Sequence, residues 1–231
     1  MNTAIGLVKF LLKRSSEIAK MRHLETQEIV SGIYAIKTKN ANFYIVENGD
    51  DYIAIDAGGG NESIAKTELG KLNIEPEKIT AVLLTHTDFD HISALRLFKN
   101  ATIYISKQEE QVIDGSVSRL PFGGRNKLNY DYSKIEDTEE LCFGKIKVKS
   151  FLTPGHTSGS MSFLIDDKYL FVGDNLSLQD GKVSLFNSLF NLSDDTQKES
   201  IKKLAQIANV EYIFTAHYGF TDEPKKAFQS F

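Results

Sequence analysis

The sequence predicts a mixed domain, either α/β or α+β, in which strands come first and then alternate with helices. Three observations predict it. Apolar runs of strand length recur at 29–36, 42–46, 52–55, 81–85, 102–105, 146–152, 162–165, 169–172 and 211–215. Turn residues separate several of them, at Lys39-Asn40, Gly49-Asp50 and Asp166-Asp167. Helix-like stretches lie between the later runs, at 62–72, 92–98, 107–113 and from Asp194-Asp195 to Ile207.

Taken in order, the chain opens with Ala4, Ile5, Val8, Leu11, Leu12, Ile18 and Ala19 at helical spacing. Lys9, Lys13, Arg14, Glu17 and Lys20 fill the other face. The charges interrupt and follow the apolar run, which argues against a cleaved secretory signal. The expectation is an amphipathic helix over 1–22, followed by one domain over 23–231. Such a helix can dock on the domain, on a second subunit or on a membrane surface. His23, beside Arg22, reads as a surface residue.

The three runs between 29 and 55 read as three strands. Asp56-Ala57-Gly58-Gly59-Gly60 then makes a turn that needs free backbone. No Gly-Lys-Ser/Thr follows, so a phosphate-loop reading is weak. Pro76 breaks the helix that starts at Glu62. The stretch 115–136 is the least regular, with Arg119, Pro121, Gly123, Gly124, Arg125, Lys127, Tyr130 and Tyr132. A lid and a plain solvated excursion fit it equally. Asp194-Asp195 is expected to cap the helix behind it.

At 231 residues with 41% hydrophobic content, one domain with a sizeable core is expected. A net charge of -4 argues against a general nucleic-acid binder. The single cysteine, Cys142, excludes an intrachain disulfide and a Cys-based zinc site. That suits the cytoplasm, and Cys142 reads as a small buried hydrophobe.

Chemistry concentrates in Leu83-Leu84-Thr85-His86-Thr87-Asp88-Phe89-Asp90-His91, where four metal-capable side chains fall within six positions. A polar loop with one Asp as helix cap explains one carboxylate. It does not explain two histidines out of five in the chain. Three further signals each follow an apolar strand: Thr153-Pro154-Gly155-His156, Val172-Gly173-Asp174 and Thr215-Ala216-His217.

With these residues in place, the chain resembles the metallo-β-lactamase superfamily, whose pattern is His-x-His-x-Asp-His, then a lone His, a lone Asp and a last His. The matching positions are His86, Asp88, Asp90, His91, His156, Asp174 and His217, and Asp56 matches the early Asp-x-Gly turn. The resemblance implies an α+β fold, the four-layer αβ/βα sandwich, with the N-terminal helix as an addition. It also implies two divalent ions. His86, Asp88 and His156 would hold the first and Asp90, His91 and His217 the second, with Asp174 bridging. Asp90 would also accept or relay a proton. Asp56 would orient a ligand or simply hold its turn.

Asp88 departs from the pattern, because most members carry His there. The additional carboxylate makes the site more anionic and opens iron or manganese beside zinc, the first expectation. If Asp is too short to reach, the first site is weak or empty. The leading function is a metal-dependent hydrolase of a small ester, thioester, lactone or phosphoester. Two alternatives stand beside it: a di-iron oxidoreductase of flavodiiron type without a fused flavodoxin, and a non-catalytic metal-binding sensor.

Overall fold

The computed structural model describes residues 15, 18–119 and 126–231. Two main sheets organise the chain. The first holds β1 (Gln27–Val30), β2 (Ile33–Lys37), β3 (Asn42–Asn48), β4 (Asp51–Ile55), β5 (Ile79–Leu83), β6 (Thr102–Ser106) and β7 (Tyr132–Ile135), side by side in chain order. The second is built from β8 (Glu140–Phe143), β9 (Ile146–Leu152), β10 (Met161–Ile165), β11 (Tyr169–Phe171), β14 (Tyr212–Phe214) and β15 (Phe220–Thr221). Its spatial order is β15-β14-β11-β10-β9-β8. A hairpin of β12 (Leu176–Gln179) and β13 (Lys182–Leu185) stands apart.

Side chains alternate between faces along a strand, and the three cores follow from that alternation. Ile53, Ile55, Ala81 and Leu83 face the second sheet and meet Val148, Phe163, Ile165, Phe171 and Phe214. Ala54 and Val82 face the other way, onto Ala65 and Leu69 of the helix Glu62–Lys71. Leu164, Leu170 and Ile213 likewise face outward, onto Ile201 and Leu204 of the helix Asp194–Ala205. Helix, sheet, sheet and helix are therefore stacked in four layers, the αβ/βα sandwich. A one-residue slip in any central strand would turn its apolar set to the wrong layer.

Several elements differ from the sequence expectation. The run 29–36 is two strands, because Gly32 at φ +77 lets the chain reverse between Val30 and Ile33. The expected helix over 92–98 is a short helix Phe89–Ile92 followed by a 3-10 turn Leu95–Leu97. Ser193, not Asp194 or Asp195, caps the helix Asp194–Ala205, accepting from Thr196 N; the two aspartates occupy the first turn. Cys142 is exposed, because β8 is an edge strand. Part of the irregular stretch pairs as β7, and β15 follows the strand expected to be last. Of the N-terminal helix, Ser15 and Ile18 are helical and Ala19 N donates to Ser15 O; most of it lies outside the described residues, as do Pro121, Gly123, Gly124 and Arg125 of the irregular stretch.

Candidate metal centre

Strand direction brings the motif residues to one edge. β4 and β5 run parallel, and so do β11 and β14. β9 is antiparallel to β10, which is antiparallel to β11, so β9 shares the direction of β11. Asp56 follows β4, His86 to His91 follow β5, and His156, Asp174 and His217 follow β9, β11 and β14. Residues far apart in sequence thus gather because each leaves the same end of a parallel or twice-reversed strand.

They form two groups around one carboxylate. His86, His156 and Asp174 offer donor atoms within 4.8 Å of one another, and so do Asp90, His91 and His217. Asp174 faces both. Its Oδ2 lies 4.0 Å from His86 Nε2 and 3.5 Å from His156 Nε2. Its Oδ1 lies 3.4 Å from His91 Nε2 and 3.1 Å from His217 Nε2. Asp90 Oδ2 is 3.6 Å from His217 Nε2. Asp88 Oδ2 stands 3.7 Å from His86 Nε2 and 3.1 Å from His156 Nε2. All seven motif residues converge.

Each imidazole is held from behind. Asp56 Oδ2 is 2.8 Å from His91 Nδ1, and Thr85 Oγ1 is 3.1 Å from His86 Nδ1. Asn191 Oδ1 is 3.2 Å from His156 Nδ1, and His23 Nε2 is 3.4 Å from His217 Nδ1. With Nδ1 engaged, Nε2 of every ring is turned toward the centre, the usual way of fixing a ligating histidine. His86 Nε2, His91 Nε2 and Asp174 Oδ1 are buried without a hydrogen-bond partner. Buried polar atoms seldom remain so. Unpaired nitrogen and carboxylate lone pairs converging on common points are the donor set a divalent ion takes.

Burial lowers the pKa of His86, and the His91 and His156 charges lower it further. For His91 burial is outweighed by Asp174 and Asp56, which hold its pKa well above the ordinary value. For Asp174 burial is outweighed by His217 and His91, which hold its pKa well below. Asp90 is the open member, with its side chain 29% exposed against 5% for Asp174.

The supports carry little sequence signal. His23, expected at the surface, is half-buried against His217, because Arg22 N donates to His217 O and Leu24 N to Asn42 Oδ1. Glu109 braces two loops: Thr87 N and Oγ1 and Thr157 Oγ1 all donate to it, and burial raises its pKa. Asp56 accepts from Thr85 N at 2.7 Å as well as facing His91, so it both holds its turn and orients a histidine. Arg119 and Asn126, from the irregular stretch, both donate to Asp88. Arg119 was visible there as one basic residue among several, and nothing in its neighbours marked it. Phe186 closes one side, its ring 5.0 Å from that of His156 and 5.5 Å from that of His217.

Fold and site define a metallohydrolase-type centre, and the comparisons agree. The sequence matches the metallo-beta-lactamase superfamily over residues 37–217, and the chain belongs to that family. A protein of Methanocaldococcus jannaschii named as a probable metallo-hydrolase is 30% identical over 71% of this chain and 69% of its own length. A Bacillus velezensis protein, named as a probable polyketide biosynthesis zinc-dependent hydrolase, is 31% identical over 54% of this chain and 49% of its own. The chain thus spans about half of that second relative. Among solved structures, a metallo-beta-lactamase of Cronobacter sakazakii superposes with a TM-score of 0.68 at 19% identity, covering 86% of this chain and 80% of that one. Likeness at that identity concerns the fold alone. No helix among the described residues is long and apolar enough to cross a membrane.

Proposed function

We propose that this protein is a binuclear metal-dependent hydrolase of a small carboxylic ester or thioester. One observation carries the reading: two histidine-carboxylate groups meet at Asp174, and three of their inward atoms, His86 Nε2, His91 Nε2 and Asp174 Oδ1, are buried with no hydrogen-bond partner. His86, Asp88 and His156 would hold one ion, Asp90, His91 and His217 the other, with Asp174 between them. Bound divalent ions supply a nucleophile from water at neutral pH and stabilise the oxyanion of an attacked carbonyl. The chain's residues supply the rest. Asp90, the most open carboxylate of the two groups, holds or passes a proton at Oδ2. Asp56 and His23 keep His91 and His217 turned inward. Phe186 walls off one side of the centre from water.

Several observations favour an acyl substrate. The apolar wall of Phe186 and Phe190 beside the centre suits an acyl group better than a phosphate. Arg119, in contact with Asp88 and His156, has its donors committed to protein acceptors, so it is no phosphate clamp. A relative from Pseudocercospora fijiensis is named as an atrochrysone carboxyl ACP thioesterase, at 26% identity over 60% of this chain and 38% of its own length. That favours testing thioesters first. Zinc is the first choice of metal, since six of the inward donors are imidazole or carboxylate in groups of three. Iron and manganese are the alternatives to assay.

The test is a panel of acyl thioesters, nitrophenyl esters, lactones and phosphodiesters, run on chelated protein and after return of zinc, manganese or iron. Turnover restored by metal and abolished in Asp90→Ala supports the proposal. Metal-loaded protein inert toward every carbonyl substrate would sink it.

A further inference from the structure

Arg119 places a cation where the first metal cluster would otherwise be open. Its side chain is 9% exposed. Nε donates to Asp88 Oδ1 at 2.8 Å, and Nη2 to Asp88 Oδ2. The same Nη2 stands 3.1 Å from His156 Nε2. Nη1 donates to the carbonyls of His156 at 3.2 Å and Phe190 at 2.8 Å. A guanidinium has five N–H donors, and all five are used here. Arg119 is therefore locked in place rather than free to reach a substrate.

Two of its acceptors, Asp88 Oδ2 and His156 Nε2, are the atoms that line the first cluster beside His86 Nε2 and Asp174 Oδ2. A guanidinium on both has two effects. It neutralises the charge of Asp88, and it occupies the lone pair that His156 would give to a metal. The second cluster has no such cation among the described residues: His91 Nε2 and Asp174 Oδ1 are unpaired, and His217 Nε2 faces only Asp90 and Asp174. The guanidinium already matches the Asp88 carboxylate, so an ion entering the first cluster meets a charge that is no longer free.

We propose that Arg119 is a resident cation of the first cluster and makes the two clusters unequal. The group of Asp90, His91, His217 and Asp174 binds one divalent ion tightly. The group of His86, Asp88 and His156 takes a second ion only weakly, when Arg119 releases His156. The inference rests on the metal-centre reading above and orders the two sites within it. Repulsion between a guanidinium and a divalent ion at this range should separate the two dissociation constants by at least ~100-fold.

The test uses the full chain, chelated and then titrated with zinc, with bound metal counted by elemental analysis after dialysis at set free zinc. The parent should take one tight equivalent and a second only at about 100-fold higher free zinc. His217→Ala should lose the tight equivalent and His86→Ala should keep it. Arg119→Met, which removes the fork but keeps the stem, should bring the two equivalents within ~10-fold of each other. The parent's own two-step isotherm needs no substitution and stands even where a variant fails to fold. Two equivalents of equal affinity in the parent would overturn the proposal and leave the binuclear reading intact. So would a tight equivalent lost in His86→Ala and kept in His217→Ala. A gap unchanged in folded Arg119→Met would remove Arg119 as its cause. A parent that binds no metal would defeat both readings.

Discussion

Replacing Asp56 with Asn separates the two tasks of that carboxylate. Asp56 accepts from Thr85 N at 2.7 Å and from Thr85 Oγ1 at 2.8 Å, and its Oδ2 faces His91 Nδ1 at 2.8 Å. Asn has the same shape and keeps one oxygen, which stays on the Thr85 amide. Its Nδ2 then takes the position of Oδ2 and presents a donor to His91 Nδ1. The imidazole answers by moving its proton to Nε2, and that nitrogen loses its inward lone pair. Loss of such a support costs roughly 10–100-fold in metal affinity, which is about 1.4–2.8 kcal/mol. The metal-free fold loses hydrogen bonds to a charged acceptor, each worth about 1.5–3 kcal/mol. Zinc affinity by competition with a chromophoric chelator reads the first effect, and urea unfolding of chelated protein reads the second. If the Asn variant is less stable yet binds zinc as the parent does, Asp56 only holds its turn, and the account of His91 orientation is wrong.

Other expectations follow from the same geometry. Removing residues 1–20 should leave metal content unchanged, whereas His23→Ala should weaken the tight ion by up to ~10-fold, since His217 Nδ1 loses the one ring behind it; elemental analysis of both proteins checks this. Glu109 has a raised pKa through burial. A carboxyl raised in the folded state keeps its proton where the unfolded chain has lost it, so it subtracts stability as pH rises from the unfolded value through the folded one. Glu109→Gln should flatten that part of the stability-pH curve in chelated protein, and an unchanged slope would refute it. Gly159→Ala would set a Cβ 2.1 Å from Glu109 N and 2.4 Å from its Cα. Backbone must move, so a loss of about 1–3 kcal/mol or more is expected in urea unfolding.

The central strands and the seven motif residues were legible because both are written in local pattern, whereas the four-layer order came only with the family resemblance. Ile53-Ala54-Ile55 and Ala81-Val82-Leu83 announce two-sided burial by composition alone. His86 to His91 announces a metal loop by density. What failed to show were contacts made by residues whose type is common. His23 reads as one more polar residue near the start, and only the hydrogen bonds of Arg22 and Leu24 bring it under His217. The split at Gly32 was missed because the runs on either side of it share one apolar character. Cys142 was misplaced because an edge strand has the same local sequence as a central one; only sheet order distinguishes them.

Asp88 shows how a local inference about charge changes once a distant partner is known. From the sequence, carboxylate in place of histidine adds a negative charge, and Asp88→His should simply restore the commoner pattern. In the fold that charge is already matched by Arg119, 31 residues away. Asp88→His alone would therefore strand a guanidinium with 9% exposure beside a neutral ring and a metal position. Breaking a buried pair from one side costs about 3–5 kcal/mol, and the unpaired cation repels an ion from the first cluster. The single variant should thus be less stable and hold no more metal than the parent. Asp88→His combined with Arg119→Met removes both charges together, and it should recover most of that stability and retain a second equivalent of zinc. Urea unfolding and elemental analysis on the parent, the single variants and the double variant form a closed cycle. Additive effects across that cycle would mean that Asp88 and Arg119 act independently, and the paired-charge account would fail.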